Sequence, residues 1–146
     1  MSEQDPRESL TSTTQFGAIG PEVDELTSAE LTASDREAVE ALPPESALLI
    51  VRRGPNLGAR FLLDADRTTA GRHPNADIFL DDVTVSRKHA EFVRVDGGFA
   101  VRDVGSLNGT YVNRERIESH VLHAGDEVQV GKFRLTYLPS PRRAGS

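Results

Sequence analysis

The feature that most constrains the fold of this chain is a series of short apolar segments that begins at Ala47 and ends at Leu138. The segments recur roughly every 8 to 12 residues, with turn sequences such as GPNLG and DGG between them and no helical period. This spacing is typical of an all-β sandwich or barrel with antiparallel strands. The predicted strands are 47–53, 59–64, 67–72, 77–80, 90–95, 99–104, 110–113, 127–130 and 133–138.

Charge divides the chain into two parts. Residues 1–45 contain 11 acidic and 2 basic side chains, whereas residues 46–146 contain 12 acidic and 15 basic ones. Opposite charges of this kind favour association between the two parts. We therefore expect a flexible, disordered acidic tail over residues 1–44, one domain over residues 45–140 and a disordered end over residues 141–146.

The tail contains one weak helical pattern. Thr27 and Glu30 have the spacing of a capping box. Ser34 and Glu37 have the same spacing, just before the sequence AVEAL and two prolines that would end a helix. Because short isolated helices are marginal in water, we predict at most a transient helix over residues 28–42.

Composition excludes several classes of protein. The chain has no cysteine, so it forms neither disulfides nor thiolate metal sites. It has no basic and apolar leader and no stretch near 18 apolar residues, which predicts a soluble, cytoplasmic protein without a membrane segment. An isoelectric point near 5.2 and 5% aromatic residues disfavour a nucleic-acid reader. We expect no cofactor.

Three polar loops between the predicted strands contain residue types that are unusual in plain connectors: GRHPNAD (71–77), VTVSRKHAEF (83–92) and DVGSLNGT (103–110). Together they resemble the forkhead-associated (FHA) domains, whose pattern is Gly-Arg, then Ser-x-x-His, then Ser-x-Asn-Gly-Thr. The resemblance covers residues 47–138. It implies an FHA-type β-sandwich of eleven mostly antiparallel strands, in which loops at one end bind phosphothreonine peptides.

The chemistry of the matched residues supports this interpretation. A phosphothreonine carries two negative charges or nearly so and three acceptor oxygens, which suit a guanidinium fork and nearby hydroxyl donors. Arg72 and Ser86 supply these groups, and Arg87 and Lys88 add positive charge beside them. Asn108 offers an acceptor and two donors, which suits clamping the backbone of an extended peptide.

The resemblance assigns further roles within the same loops. It places Leu107 where a variable residue also touches the ligand. Gly109 permits the tight bend that aims the preceding amide, and His89 shapes its loop through internal hydrogen bonds. Gly71 and Ser106 complete the set of residues expected to shape the loops.

Other readings of these residues find less support. Arg72 alone could be an ordinary surface arginine. Ser86, His89 and Asp103 could suggest a hydrolase triad, but no Gly-x-Ser-x-Gly elbow surrounds the serine. The histidines at positions 120 and 123 have no partner pair with the spacing of a zinc site. We therefore predict a protein that is not an enzyme and has no metal site.

A wider resemblance extends over four segments: PPESALLIVRRGPNLGARFLLD, TAGRHPNADIFLDDVTVSRKHAEF, DVGSLNGTYVNRE and GDEVQVGKFRL. These look like the small actinobacterial FHA regulators of the GarA/OdhI type. Nothing in the sequence suggests an obligate dimer, so we expect a monomer. The resemblance implies that the unphosphorylated protein inhibits the E1 component of 2-oxoglutarate dehydrogenase and modulates glutamate-metabolising enzymes. A Ser/Thr protein kinase then phosphorylates the tail, which binds its own FHA domain. The alternative is a generic FHA adaptor that recruits phosphothreonine-bearing kinases or other partners from separate chains.

The sequence TSTTQF in the tail contains the threonine pair on which that model depends. Family tails usually read Glu-Thr-Thr-Ser-Val-Phe, whereas this chain has Ser12 in place of Glu and one residue fewer before Phe16. Alignment on the threonine pair favours Thr14 as the phosphorylation site. Alignment on the distance to the phenylalanine favours Thr13 instead. Both remain candidates, with a preference for Thr14.

Overall fold

Two β-sheets and one short helix make up the computed structural model, which describes residues 31–141. The tail threonines, the Thr27 capping pattern and residues 142–146 lie outside the described residues. The helix α1 is Ala33–Glu40. The strands are β1 Ala47–Arg53, β2 Arg60–Leu63, β3 Arg67–Gly71, β4 Ile78–Phe79, β5 Ala90–Val95, β6 Gly98–Asp103, β7 Thr110–Val112, β8 Glu115–Ile117, β9 Ser119–Val121, β10 Glu127–Val130 and β11 Phe133–Pro139.

The strands form a six-stranded sheet in the order β2-β1-β11-β10-β7-β8 and a five-stranded sheet in the order β4-β3-β5-β6-β9. Neighbouring strands are antiparallel except β3 and β4, which pair in parallel. The predicted all-β class with mostly antiparallel strands is therefore confirmed. No helix in this described range has the length and apolar character that a membrane crossing needs.

Nine predicted strands coincide with observed ones to within two residues at each end. The prediction missed β8 and β9, whose residues are mostly exposed. Each lies at the edge of its sheet, where one open side leaves few residues to bury. Apolar and polar residues consequently do not alternate in them, and the pattern that identifies a strand is absent.

The first strand, β1, is buried on both faces, which explains its unbroken apolar run. Ala47, Leu49 and Val51 face the main core between the sheets. Leu48 and Ile50 point the other way, into a second apolar cluster that includes Leu31, Leu42 and Leu138. Alternating side chains point to opposite faces of a strand, so β1 serves both clusters at once.

The helix α1 covers this second cluster. Ala38 and Val39 pack against it, and the buried residues Leu31 and Leu42 lie on either side of the helix. The sequence assigned residues 31–44 to the flexible tail, and the structure differs there. A helix too short to be stable alone is stabilised by burying its apolar face on the outside of the six-stranded sheet.

The cap of α1 also differs from the predicted pattern. Thr32 is the N-cap, with its side chain accepting from the Asp35 amide at 2.9 Å, and Asp35 completes the capping box. Arg60 on β2 pairs with the same carboxylate at 2.7 Å. Burial alone would raise the pKa of Asp35, but hydrogen bonds from Arg60 and Thr32 lower it below the ordinary value. The ion pair ties the helix to the edge of the sheet.

Candidate functional site

The three polar loops predicted from the sequence meet at one end of the sandwich. The Arg72 amide donates to the Ser86 carbonyl at 2.9 Å, which joins the first loop to the second. The Leu107 amide donates to Ser86 Oγ at 2.9 Å, and Asn108 Nδ2 donates to the Thr84 carbonyl at 2.9 Å, which join the third loop to the second. We call these segments, residues 71–77, 80–89 and 104–109, the site loops.

The guanidinium of Arg72 is exposed but held in place. Its Nε donates to the Val85 carbonyl at 3.0 Å, which fixes the plane of the group. No other residue in the described range hydrogen-bonds this guanidinium. Its two terminal nitrogens therefore retain their hydrogens for an external acceptor such as a phosphate or carboxylate.

Ser86 lies at the junction of all three site loops and is half-buried. Its backbone amide donates to His89 Nδ1 at 3.0 Å, and its carbonyl accepts from the Arg72 amide. Its Oγ accepts from the Leu107 amide, which leaves the hydroxyl hydrogen to donate. The structure thus brings a hydroxyl donor and the Arg72 guanidinium onto hydrogen-bonded neighbouring loops.

His89 is fully buried beneath the site loops. Because its Nδ1 accepts from the Ser86 amide, the neutral ring carries its proton on Nε2 and donates it to the Gly109 carbonyl at 2.8 Å. Burial lowers the pKa of His89 below the ordinary value, which outweighs the opposing effects of the Gly109 carbonyl and of Asp103. The neutral ring therefore connects the second and third site loops.

The depressed pKa of His89 predicts a pH dependence of stability. Above about pH 6.5 the ring is neutral in both states and contributes its full stabilisation; below that pH the unfolded chain gains a proton that the folded chain resists. We expect the free energy of unfolding, measured with urea, to fall by about 1 kcal/mol between about pH 7.5 and pH 5.5. His89→Gln should lose this component, whereas the matched change of the exposed His123 to Gln should keep it. Equal slopes in all three proteins would contradict the assignment.

Asp103 organises the third site loop, a role that the sequence reading missed. Its carboxylate accepts from the amides of Gly105 at 2.8 Å and Ser106 at 3.0 Å, and from the hydroxyls of Ser106 and Thr110. Burial alone would raise the pKa of Asp103, but these hydrogen bonds hold it below the ordinary value. An Asp followed two residues later by Gly is the available sequence sign, since such pairs form turns in which the side chain caps the backbone.

The contacts of Asp103 and His89 also exclude the triad considered above. The histidine nitrogen meets the backbone amide of Ser86, and not its hydroxyl. The carboxylate of Asp103 is committed to Ser106, Thr110 and Gly105. A base that cannot reach the nucleophile cannot activate it, so these three side chains form no proton relay.

Four further predicted residues either bend the third site loop or are exposed at the site. Gly109 has φ +89° and its amide donates to Ser106 Oγ at 2.9 Å, which turns the chain directly after Asn108. Arg87 and Lys88 are exposed beside Ser86. Leu107 is 85% exposed, so its side chain is free to touch a ligand.

Thr84 is a second residue that the sequence reading missed. Its amide and hydroxyl both donate to Asp82 Oδ2, and its Oγ1 accepts from the Lys132 amide at 2.9 Å. Hydrogen bonds from Thr84 lower the pKa of Asp82 below the ordinary value. Its carbonyl is thereby fixed as the acceptor for Asn108.

Gly71 is required by a close approach between the first two site loops. A Cβ at this position would lie 2.1 Å from the Arg87 carbonyl oxygen and 3.2 Å from that of Ser86, both of which are backbone atoms. Its φ is not in the left-handed region, so the constraint is space alone. Any larger residue must push the second site loop away from Arg72.

We therefore expect Gly71→Ala to destabilise the protein by about 3 kcal/mol, the upper range for overpacking a tight site. Gly98→Ala is the matched control, because its Cβ would meet only the Tyr137 hydroxyl, at 3.2 Å, without a positive φ. It should stay within about 1 kcal/mol of the wild type. Denaturant unfolding measures both, and comparable losses in the two variants would show that backbone proximity at Gly71 is unimportant.

The two surface histidines noted in the sequence lie on different parts of the described structure. His120 lies on β9, and His123 Nδ1 lies 3.8 Å from Asp126 in the turn before β10. Within the described range, no group of three or more His, Cys, Asp or Glu side chains is arranged to hold a metal ion.

Comparison with known proteins agrees with this architecture. The FHA domain family model matches residues 68–131. The glycogen accumulation regulator GarA of Mycobacterium tuberculosis is 65% identical over 112 residues, which cover 77% of this chain and 69% of that protein. The oxoglutarate dehydrogenase inhibitor of Corynebacterium glutamicum is 62% identical over 117 residues, which cover 80% of this chain and 82% of that protein.

A solved FHA-domain structure is also similar to this chain, at lower sequence identity. It comes from a structural and functional analysis of phosphothreonine-dependent FHA domain interactions. Its TM-score is 0.60 at 30% identity, over 66% of this chain and 99% of that chain. The site-loop motifs, the sandwich and these relatives lead to one conclusion: the chain belongs to the family of FHA-domain regulators that includes GarA and the oxoglutarate dehydrogenase inhibitors.

Proposed function

We propose that this chain is a non-catalytic regulator that binds phosphothreonine at its site loops. The observation that carries the proposal is the fixed Arg72 guanidinium, whose terminal nitrogens have no partner among residues 31–141, on a loop bonded to that of the Ser86 hydroxyl. Asn108, held by its amide nitrogen, keeps its side-chain oxygen available to accept from a peptide backbone. Arg72 and Ser86 would hold the phosphate, with Arg87 and Lys88 adding positive charge and Leu107 contacting the neighbouring residue.

The names of the relatives support a proposal for the regulated partner. One group of them is named for inhibiting oxoglutarate dehydrogenase and another for regulating glycogen accumulation. We propose that the unphosphorylated chain acts as a monomer in the cytoplasm, where it inhibits the E1 component of 2-oxoglutarate dehydrogenase and modulates glutamate-metabolising enzymes. A Ser/Thr protein kinase would end this inhibition by phosphorylating the tail at Thr14, or at Thr13, so that the tail occupies its own site loops.

The position of α1 shortens the tether that this model requires. Leu31 is buried against the six-stranded sheet, so only 17 residues separate Thr14 from the start of the described fold. A flexible chain of that length has an r.m.s. reach of about 23 Å, whereas a domain of this size has a radius of gyration of about 13 Å. A short tether raises the effective concentration of the ligand that it carries. Docking of α1 thus favours intramolecular binding.

A peptide-binding measurement tests the core of the proposal. A fluorescent peptide with the sequence of residues 8–20, phosphorylated on Thr14, is titrated with the unphosphorylated full chain. We expect a dissociation constant of about 1 μM, with the unphosphorylated peptide at least about 100-fold weaker because it lacks the charge-assisted hydrogen bonds. The same peptide phosphorylated on Thr13 identifies the preferred site. Equal binding with and without phosphate would refute phosphothreonine recognition.

A further inference from the structure

A cleft of about 480 Å³ adjoins the site loops on the outer face of the five-stranded sheet. Along β3, β5 and β6 the paired residues Thr69, Glu91 and Arg102 face outward, since their neighbours Thr68, Phe92 and Val101 are buried. The cleft runs from this surface to the first two site loops. Its polar lining comprises Arg67, Thr69, His73, Asn75, Arg87, Lys88 and Glu91.

The lining carries a surplus of positive charge. Arg67, Arg87 and Lys88 are cationic, and Glu91 is the single acid among the lining residues. That acid is already paired, since Arg102 Nη2 lies 2.8 Å from its Oε1. Arg67 lies 3.7 Å from the other oxygen and keeps 64% of its side chain exposed, so its charge remains accessible to a ligand.

A histidine in the lining adds a hydrogen-bond donor to the cleft. His73 Nδ1 accepts from the Asn75 amide at 3.0 Å, so a neutral ring carries its proton on Nε2. A concave surface with accessible cations and a donor suits carboxylates. Because Arg87 and Lys88 belong both to the cleft and to the second site loop, one peptide can reach both places.

We propose that this cleft binds acidic side chains in the segment that flanks a phosphothreonine, and thereby selects acidic phosphopeptides over neutral ones. The proposal rests on the proposed function of the site loops and adds a second point of recognition to it. The chain itself contains such a segment, because residues 1–30 hold seven acidic side chains, one basic side chain and the threonine pair. Charge complementarity therefore identifies the acidic flank as the occupant of the cleft.

Two peptides distinguish this proposal from phosphate recognition alone. Both contain residues 3–26 with Thr14 phosphorylated; one keeps its six acidic side chains, and the other carries Gln or Asn in their place. The unphosphorylated full chain should bind the neutral peptide about three- to tenfold more weakly, the size expected for a few exposed ion pairs. The ratio should shrink as the salt concentration rises.

Variants locate the effect. In the double variant Arg67→Gln, Lys88→Gln the ratio between the two peptides should approach one, whatever the absolute affinity. Arg114→Gln removes the same type of charge at the turn between β7 and β8, in the other sheet, and should keep the wild-type ratio. If both peptides bind the wild type equally, or if the double variant keeps the wild-type ratio of affinities, the proposed role of the cleft is wrong. If the wild type binds neither phosphopeptide, the proposed function fails as well.

Discussion

Phosphorylation of Thr14 in the intact chain is expected to weaken the binding of an external phosphothreonine peptide about a thousandfold. We call the closed form the state in which the phosphorylated tail occupies its own site loops. A tethered ligand at an effective concentration of about 1 mM, with a dissociation constant of about 1 μM, favours this closed form by about 10³. That ratio corresponds to about 4 kcal/mol. If the unphosphorylated chain inhibits 2-oxoglutarate dehydrogenase through its site loops, as proposed, the phosphorylated chain should lose this inhibition.

Calorimetric titration of the phosphorylated and unphosphorylated chains measures the first effect, and a dehydrogenase assay measures the second. The variants Thr14→Ala and Thr13→Ala identify the phosphorylated residue, because only the variant that lacks it should keep external peptide binding after kinase treatment. A chain lacking residues 1–20 should inhibit constitutively and ignore the kinase. A phosphorylated chain that still binds external peptide with wild-type affinity would exclude self-binding and favour an adaptor whose ligand lies on another chain.

Concentration provides a further discrimination. Intramolecular binding should perturb the amide resonances of Arg72, Ser86 and Asn108 equally at all protein concentrations, because the ligand travels with its site. Binding between molecules should instead depend on dilution. Spectra of the phosphorylated chain at two concentrations that differ about tenfold would separate the two cases.

Most of the strands could be predicted because their burial is visible in the local order of apolar and polar residues. Segments such as residues 127–130 alternate between polar and apolar side chains, and residues 47–53 contain one apolar run between turns. The helix α1 could not be predicted with the same certainty. Its stability depends on Leu31 and Leu42 meeting Leu48 and Ile50, a contact that no local pattern contains. The helix α1 is therefore stabilised by tertiary burial, although its helix propensity alone predicted little order.

The candidate site shows the same division. Arg72, Ser86 and Asn108 were identified because their motifs lie in order along the chain, and the structure places them on hydrogen-bonded loops. Asp103 and Thr84 were not identified as supports, because each acts through partners that depend on how the loops meet. The residues proposed to contact a ligand form a recognisable sequence motif, whereas the residues that hold them in place are found only from the folded geometry.

Replacement of Arg72 gives the largest expected effect of any single substitution in the domain. Arg72→Ala should weaken phosphothreonine-peptide binding by at least about 100-fold, because it removes two charge-assisted hydrogen bonds of about 1.5–3 kcal/mol each. Arg72→Lys should recover only part of this affinity, since a lysine supplies the charge without the planar fork or the Nε bond to Val85. Fluorescence anisotropy with the phosphorylated peptide measures all three proteins.

A loss of peptide binding in these variants must be distinguished from a loss of folding. Arg72 is exposed and its side chain makes one hydrogen bond within the described range, so both substitutions should leave the midpoint of thermal unfolding within a few degrees of the wild type. Arg114→Ala, in the other sheet, is the matched loss of charge and should bind like the wild type. If Arg72→Ala folds and binds the phosphopeptide with unchanged affinity, the phosphate is recognised elsewhere. A Lys variant that matches wild-type affinity would show that charge alone, without the fork geometry, suffices.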